Sequence, residues 1–565
     1  MKKKLLILLL LFSTLSYCSE ITGSVFLNNT SDHSGIIIKF NPISPSAVYT
    51  EGTSNASGLY NITVNNGIYN ISFEKNGYQT YTLNNQFIST NSTLSIVNLN
   101  SNTAVNVLGN VSGNWVKTNT YFVNGDITIP LGQTLTIEPG TEIKFNGYYS
   151  LIVNGTLTAI GEDNSNIKFT SAINPPSKED WNQILFNNSS TLSELKYCTI
   201  EYGKKPLDNR YNGIVQILGK ANVIDCTIRN SGGSGIYVST NENILITKNS
   251  IENCDMGVYM VHTAGVFNVT NNKINNIRLN GIENGVVSVN SIIENNIIGN
   301  CSNIGILNWS SSRIRFNIVY NSSTGIHAGK GVSEITQNTL ISNRNGITVH
   351  YSESFNANPI INSNIIANSS DYAIYSVGPQ KPLSVTYNLF YNNTKGIGNN
   401  NLPIGVGTII TTNNNGINSD TYYNIFSSPD LVSINPADSE FCKLNSNSIA
   451  INAGDPAITN NNSTIIDIGA KESLESLSTK KFSNNNFTAF PNPIISQVKI
   501  EAKTTQLFDQ LILNGINGQI VKEYKLENST NEYTLENLNE LETGIYFLTI
   551  YNKSQKIQQI KLLKK

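Results

Sequence analysis

Charge is scarce in this chain. Of its 565 residues only 13% are charged, and the formal net charge is −2. A nucleic-acid binder meets phosphates with a basic surface, and no such surplus exists here. Methionine and histidine are rarer still, at three and four residues, which argues against a soft-metal or histidine-rich site. No segment after the first residues holds 18 unbroken apolar positions, so the mature chain lacks the signal of a spanning helix. Cysteine occurs six times. Cys18 belongs to the N-terminal leader. Cys198, Cys226, Cys254, Cys301 and Cys442 are an odd set without close pairs, so neither a disulfide framework nor a zinc pattern is visible. They read as small buried side chains. Strong helix formers such as Ala and Glu are also sparse.

What is abundant is Asn, Ser, Thr, Ile and Gly, a mixture that favours strands and tight turns. A chain this long suggests several domains. Residues 1–18 read as a signal peptide: Lys2, Lys3 and Lys4, an apolar run over 5–12, then Ser16-Tyr17-Cys18 before the cut. A lipidated Cys18 is the alternative, and the bulky Tyr17 speaks against it.

Residues 20–100 alternate apolar and polar positions between Gly- and Asn-bearing turns, which predicts a small β-sandwich. Gly58-Leu59-Tyr60, Gly67-Ile68-Tyr69 and Gly77-Tyr78 resemble the recurring core of the carboxypeptidase-regulatory-like domain. That resemblance implies a non-catalytic spacer or partner-binding unit, with Tyr60 and Tyr69 in the core.

The middle of the chain repeats. A Gly-aliphatic pair stands at Gly235, Gly257, Gly281, Gly305, Gly325, Gly346 and Gly396, with Ala373-Ile374 filling one gap. The steps are 22, 24, 24, 20, 21, 27 and 23 residues. In phase with it runs Asn-x-aliphatic, at Asn249, Asn272, Asn296, Asn317, Asn338, Asn364 and Asn388, continued backwards by Cys198 and Cys226. Short strands and two locked markers predict stacked coils of a right-handed parallel β-helix. The Asn side chains turn the chain and bond to the Asn one coil away. The opening strands, from Tyr121-Phe-Val-Asn-Gly-Asp to Trp181-Asn-Gln-Ile184, resemble the first coils of secreted bacterial β-helix proteins. Ala-Ile-Asn-Ala-Gly-Asp at 450–455 and Asp-Ile-Gly-Ala-Lys-Glu at 467–472 resemble their closing segment. The array is therefore expected over 101–475, in an all-β, pectin-lyase-like solenoid flanked by two small β-sandwiches.

A polar linker, 476–486, precedes the tail over 487–565. Phe490-Pro-Asn-Pro493, the run from Leu511 to Val521, Gly544-Ile-Tyr-Phe547 and a closing Lys561-Leu-Leu-Lys-Lys565 resemble the C-terminal sorting domain of the type IX secretion system of Bacteroidetes. The resemblance implies a tag read by the outer-membrane export machinery, a two-step export route and a secreted or cell-surface destination.

No active site is evident. The Asn-Thr-Asp, Asp-Asp, Gly-His-Gly and Arg-x-Lys elements of polygalacturonases are missing, as is the Arg-centred motif of pectate lyases. Glycoside hydrolysis generally needs two carboxylates across the sugar, and no coil presents a close pair. One outward column does attract notice. Strand alternation places Tyr237, Tyr259, Glu283, Leu307, His327, Thr348 and Tyr375 on one face, with Trp309 and His350 two residues further along their strands. Rings with polar neighbours suit sugars. An ordinary solvated sheet face fits as well. The candidate ligand contacts are Tyr237, Tyr259, Trp309, His327 and Tyr375, and Glu283 is the one catalytic candidate. The expected function is a binding or structural module with polysaccharide as candidate ligand; the alternative is a polysaccharide lyase or glycoside hydrolase. No cofactor and no metal site are called for.

Overall fold

The computed structural model describes residues 18–473 and 487–565, apart from 45–46, 188–191, 205–211, 262–264, 286–290, 400, 414, 460–463, 504, 516–518 and 553–554. The expected leader up to Tyr17 and the linker 476–486 lie outside the described residues. The chain falls into two compact units that part between Ser473 and Leu474. Among the described residues every regular element is a strand.

The first unit opens with two four-stranded sheets. Cys18–Leu27 pairs antiparallel with Leu59–Asn65 and parallel with Ser92–Thr93 and Val97–Leu99. Ile37–Pro42, Thr50–Thr53, Gly67–Glu74 and Tyr81–Ile88 make the second sheet. Alternation sends Ile21, Val25, Tyr60, Phe40, Tyr69 and Phe73 into one shared apolar cluster. Buried Tyr69 donates its hydroxyl to the Asn65 carbonyl at 2.7 Å, which satisfies its polar end.

From there the chain winds into a right-handed parallel β-helix with three sheets. The first sheet has twelve strands in chain order, from Gly113–Trp115 to Ser384–Thr386. The second runs from Thr103–Asn110 through Glu142–Phe145 and Cys198–Glu201 to Leu389–Tyr391. The third runs from Leu151–Val153 to Ile374–Ser376. Asn119–Ile129, Thr227–Val238 and Ser250–Met260 are long enough to bend and serve both the second and third sheets.

Strands stay short because each coil bends on left-handed residues. One set lies just before the Asn marker: Lys248, Asn271, Asn295, Phe316, Gln337, Ser363 and Tyr387, with φ between 52° and 58°. A second set, Asn253, Asn276, Asn300, Asn321, Ser342, Asn368 and Asn392, turns the chain from the second sheet to the third. Asn tolerates this conformation better than most residues, which accounts for its abundance. Parallel, in-register stacking then places like on like. Ile228, Ile251, Ile274, Ile298, Val319, Leu340, Ile366 and Phe390 form one column inside the bore. Each such side chain contributes about 1.5–3 kcal/mol on full burial. The Gly marker has a steric cause. A Cβ on Gly281 would lie 2.7 Å from the Gly305 carbonyl oxygen, on Gly305 2.7 Å from that of Gly325, and on Gly325 2.6 Å from that of Gly346.

The Asn residues form a buried ladder. Asn249, Asn272, Asn296, Asn317, Asn338 and Asn364 each donate Nδ2 to the Oδ1 of the next member at 2.9–3.0 Å, ending on Asn388. Each Oδ1 also accepts the backbone N–H of the preceding member. Asn388 extends the ladder to Asn424, which the spacing does not reveal because it lies 36 residues on. Asn424 Nδ2 meets the buried Asp420 carboxylate at 3.1–3.2 Å. All the amides point the same way, so the NH2 end of the row carries partial positive charge, and a carboxylate terminates it favourably.

The repeat and the closing signature predict an array to residue 475, but the coils end sooner. After Leu389–Tyr391 only single bridges continue, Ile374 to Gly398 and Leu389 to Ile425. Leu402, Val406 and Phe426 pack against the bore cluster at this end. The chain then runs back along the outside of the second sheet as a strap. Phe441, Leu444, Ala450, Ala453 and Ile468 pack on Ile318, Tyr320, Ile341, Ile365 and Leu389. Asp455 N–H bonds to Ser363 Oγ at 3.1 Å, Ala470 N–H to Thr339 Oγ1 at 2.9 Å, and Gln337 Nε2 to Glu472 at 2.9 Å. The closing signature is therefore a docking segment and not a last coil. Its apolar residues find their partners on the outer face of earlier coils.

The second unit pairs a three-stranded sheet (Phe487–Phe490, Val498–Ala502, Glu532–Leu535) with a four-stranded one (Ile520–Thr530, Phe508–Gly515, Gly544–Asn552, Gln555–Lys564). Phe487, Val498, Leu511, Leu548 and Leu562 share its core.

Candidate functional site

The outward column of the third sheet stacks as the alternation predicts. Tyr237 pairs with Tyr259, then Glu283, Leu307, His327, Thr348 and Tyr375 follow strand by strand. Its first half is not an exposed face, however. Tyr237, Tyr259 and Glu283 are only 6%, 7% and 7% exposed. The two Tyr rings meet edge to face at 5.7 Å and belong to an apolar cluster with Met256 and Val261, against which Leu218 and Leu279 pack. Glu283 accepts a bond from Asn280 Nδ2 at 2.8 Å. Alternation fixes which side of the sheet a residue takes, not whether solvent reaches that side. Tyr237 and Tyr259 therefore leave the set of candidate contacts, and Glu283, buried with them, is not presented on an open face as a catalytic carboxylate would be.

Further along, the same face opens on a cluster of rings. Trp309, Gly329 and His350 are consecutive outward positions, tied by bonds from Gly329 N–H to the Asn308 carbonyl at 2.6 Å and from His350 N–H to the Ala328 carbonyl at 2.9 Å. A Cβ on Gly329 would collide with the Trp309 indole, so that ring lies directly over the glycine. Trp309 meets His350 edge to face at 5.1 Å and Phe355 edge to face at 6.0 Å, and His327 lies tilted against it at 5.9 Å. Phe355 is 44% exposed on a turn closed by Ser352. Lys330 holds its ammonium 5.3 Å from the Phe355 centroid. Beneath this group the buried amides of Asn284 and Asn308 bond to each other at 2.7 Å, and Asn308 bonds on to Ser333 at 2.9 Å, so the strand carrying Trp309 is fixed.

Burial, and then the neighbouring His350, pulls the His327 imidazole down to about 4. Burial also lowers His350. His327 Nε2 is buried and has no hydrogen-bond partner. Tyr375 stands apart from the cluster, 37% exposed and stacked on Tyr372 at 5.8 Å. Of the five candidate contacts the structure thus gathers Trp309 and His327, joins His350 to them, and separates Tyr375. Phe355 and Lys330 escape sequence reasoning because they sit on turns outside the repeat.

Elsewhere, Glu201 is buried between Lys168 at 3.1 Å and Arg229 at 2.7 Å on the second sheet, away from the rings. A polar cleft of about 410 Å³ between the N-terminal sandwich and the first coils is lined by Lys39, Glu74, Tyr78, Lys117 and Glu162 among others. Among the described residues no three His, Cys, Asp or Glu side chains converge as a metal site.

Residues 182–340 match the family described as right handed beta helix region. Residues 488–565 match the secretion system C-terminal sorting domain. No curated protein matches the chain. Among solved structures, a crystal structure of a mutant of the periplasmic alginate epimerase AlgG is similar over 51% of this chain and 75% of that one, with 14% identity and a TM-score of 0.38. The fold class is a right-handed parallel β-helix. The chain carries a type IX sorting domain, which marks it for secretion or the cell surface.

Proposed function

We propose that the protein is a secreted or surface-displayed binding module whose ligand surface is the ring cluster around Trp309, and that the ligand is a saccharide. The observation that carries this reading is the indole laid over Gly329 and flanked by His327, His350 and Phe355. An aromatic face with polar edges is suited to a sugar ring, which presents C–H groups on one side and hydroxyls at its rim. The fixed strand beneath lowers the ordering cost of binding. Tyr375, further along the same face, is a secondary contact for a longer chain. The N-terminal sandwich serves as a carboxypeptidase-regulatory-like spacer, and the tail is the partner of the export machinery. The test is binding of the parent and of Trp309→Ala to immobilised pectin, alginate, xylan and host-type glycans. The variant should bind at least tenfold more weakly, about 1.4 kcal/mol, while Tyr375→Ala loses less. Equal binding by parent and Trp309→Ala, or no binding by the parent, leaves a plain scaffold.

A further inference from the structure

His327 and His350 are two of only four histidines in the chain. They come together on the third sheet, 23 residues apart in sequence, because His327 pairs with Thr348 and His350 follows two residues later, just past the strand end. Their ring centroids are 5.3 Å apart, with 46° between the planes. Two imidazoles that share one tetrahedral ion at the usual Zn–N length of about 2.0–2.1 Å stand with centroids roughly 5 Å apart.

We propose that His327 and His350 together hold a late first-row divalent ion, of the zinc or copper type, beside Trp309. Three features support the assignment besides the spacing. His327 Nε2 is buried without a hydrogen-bond partner. Ring nitrogen is the donor that Zn²⁺, Cu²⁺ and Ni²⁺ take in preference to Ca²⁺ or Mg²⁺. His327 stands on a hydrogen-bonded strand, and His350 follows directly after the next one with its N–H bonded to the Ala328 carbonyl, so the pair is preorganised. With two protein ligands the ion keeps open positions, which a water or an oxygen of a bound molecule fills. The half-buried His350 provides the path in.

Trp309 is the reporter. Its ring lies 5.1 Å from His350 and 5.9 Å from His327, whereas Trp115 and Trp181 are buried in the bore cluster. Untagged full-length protein is titrated with Cu²⁺ by tryptophan fluorescence and with Zn²⁺ by calorimetry. Saturable quenching and zinc uptake at one ion per chain are expected, each at least tenfold weaker in His350→Gln and in His327→Gln. Trp309→Phe should keep the zinc and lose the quenching. His33→Gln should change nothing, since His33 Nδ1 already accepts the Leu27 N–H at 3.0 Å. His327 is partly buried, so a misfolded His327→Gln is set aside and the half-exposed His350→Gln decides. No saturable binding, or binding unchanged in His350→Gln, overturns the site. Glycan binding measured with and without chelator is a separate readout, so the saccharide reading stands or falls independently.

Discussion

The outer face of the second sheet is built in two ways. In the early coils its outward columns carry Glu142, Lys168, Thr199, Thr227, Ser250 and Lys273, and beside them Lys144, Thr170, Glu201, Arg229, Glu252 and Asn275. One coil later the same columns carry Ile297 and Gly299, then Ile318 and Tyr320, Thr339 and Ile341, Ile365 and Ala367, Leu389 and Tyr391. The bore beneath is apolar throughout. The backbone is therefore the same in both halves, and what changes is the solvent of the outer face: charge pairs and water in one, the strap in the other. A parallel β-helix fixes its inside by register and leaves its outside free to be assigned coil by coil.

Removing the strap is the most severe way to break this contrast. A chain ending at residue 427 would expose Ile318, Tyr320, Ile341, Ile365 and Leu389 together. At about 1.5–3 kcal/mol for each buried apolar side chain, the loss is on the order of 10 kcal/mol. That chain should aggregate or melt far below one ending at residue 473, as followed by thermal circular dichroism and light scattering. Equal melting of the two would show that the strap is dispensable.

The early half is broken through charge. Burial alone would raise the Glu201 carboxyl, but the hydrogen bond from Arg229 and the nearby Lys168 ammonium outweigh it and hold it below its ordinary 4.5. A depressed carboxylate contributes stability that is present above the unfolded pKa and lost as pH falls through the folded one. Glu201→Gln should cost about 1–3 kcal/mol at pH 7, discounted because Lys168 and Arg229 remain partly solvated. The gap between parent and variant should close as pH falls from about 5 to 3. A constant gap across a urea-melt series in that range would remove the ion pairs as its cause.

A single glycine tests the fit of the strap. Gly469 has φ of +107°, and a Cβ there would lie 2.6 Å from Ile365 Cδ1. Gly469→Ala should destabilise by about 1–2 kcal/mol, through backbone strain and displacement of the strap. Proteolysis within 428–473 should accelerate in parallel. An unchanged rate would mean that the strap docks without that close approach.

Much of this architecture is legible in the residues themselves, for a physical reason. Stacking in register makes residues 20–27 apart in sequence into neighbours, so the Asn ladder and the aliphatic bore appear as periodic markers. Where the period breaks, legibility ends. Asn424 joins the ladder after an irregular excursion. The strap has no period, and the clue to it lies in the coils it covers, in the switch from Lys273 to Ile297. Trp309 and His350 follow from strand alternation, whereas the burial of Tyr237 and Tyr259 depends on a second apolar layer that alternation does not encode.

That switch also gives the mildest test. Lys273 and Ile297 occupy adjacent rungs of one column, the first exposed and the second partly covered. If the strap alone makes apolar residues favourable there, Lys273→Ile gains little, because its side chain stays in water on both sides of the folding equilibrium. Its effect should fall within about 0.5 kcal/mol, as for other surface changes. Ile318→Lys, one rung beyond Ile297 and 2% exposed, should cost several times more, since its ammonium would be buried under the strap without a partner. Urea melts of the two variants measure the difference directly. A stabilisation of more than about 1 kcal/mol by Lys273→Ile, near what partial burial of one aliphatic side chain yields, would place the edge of the strap one coil earlier.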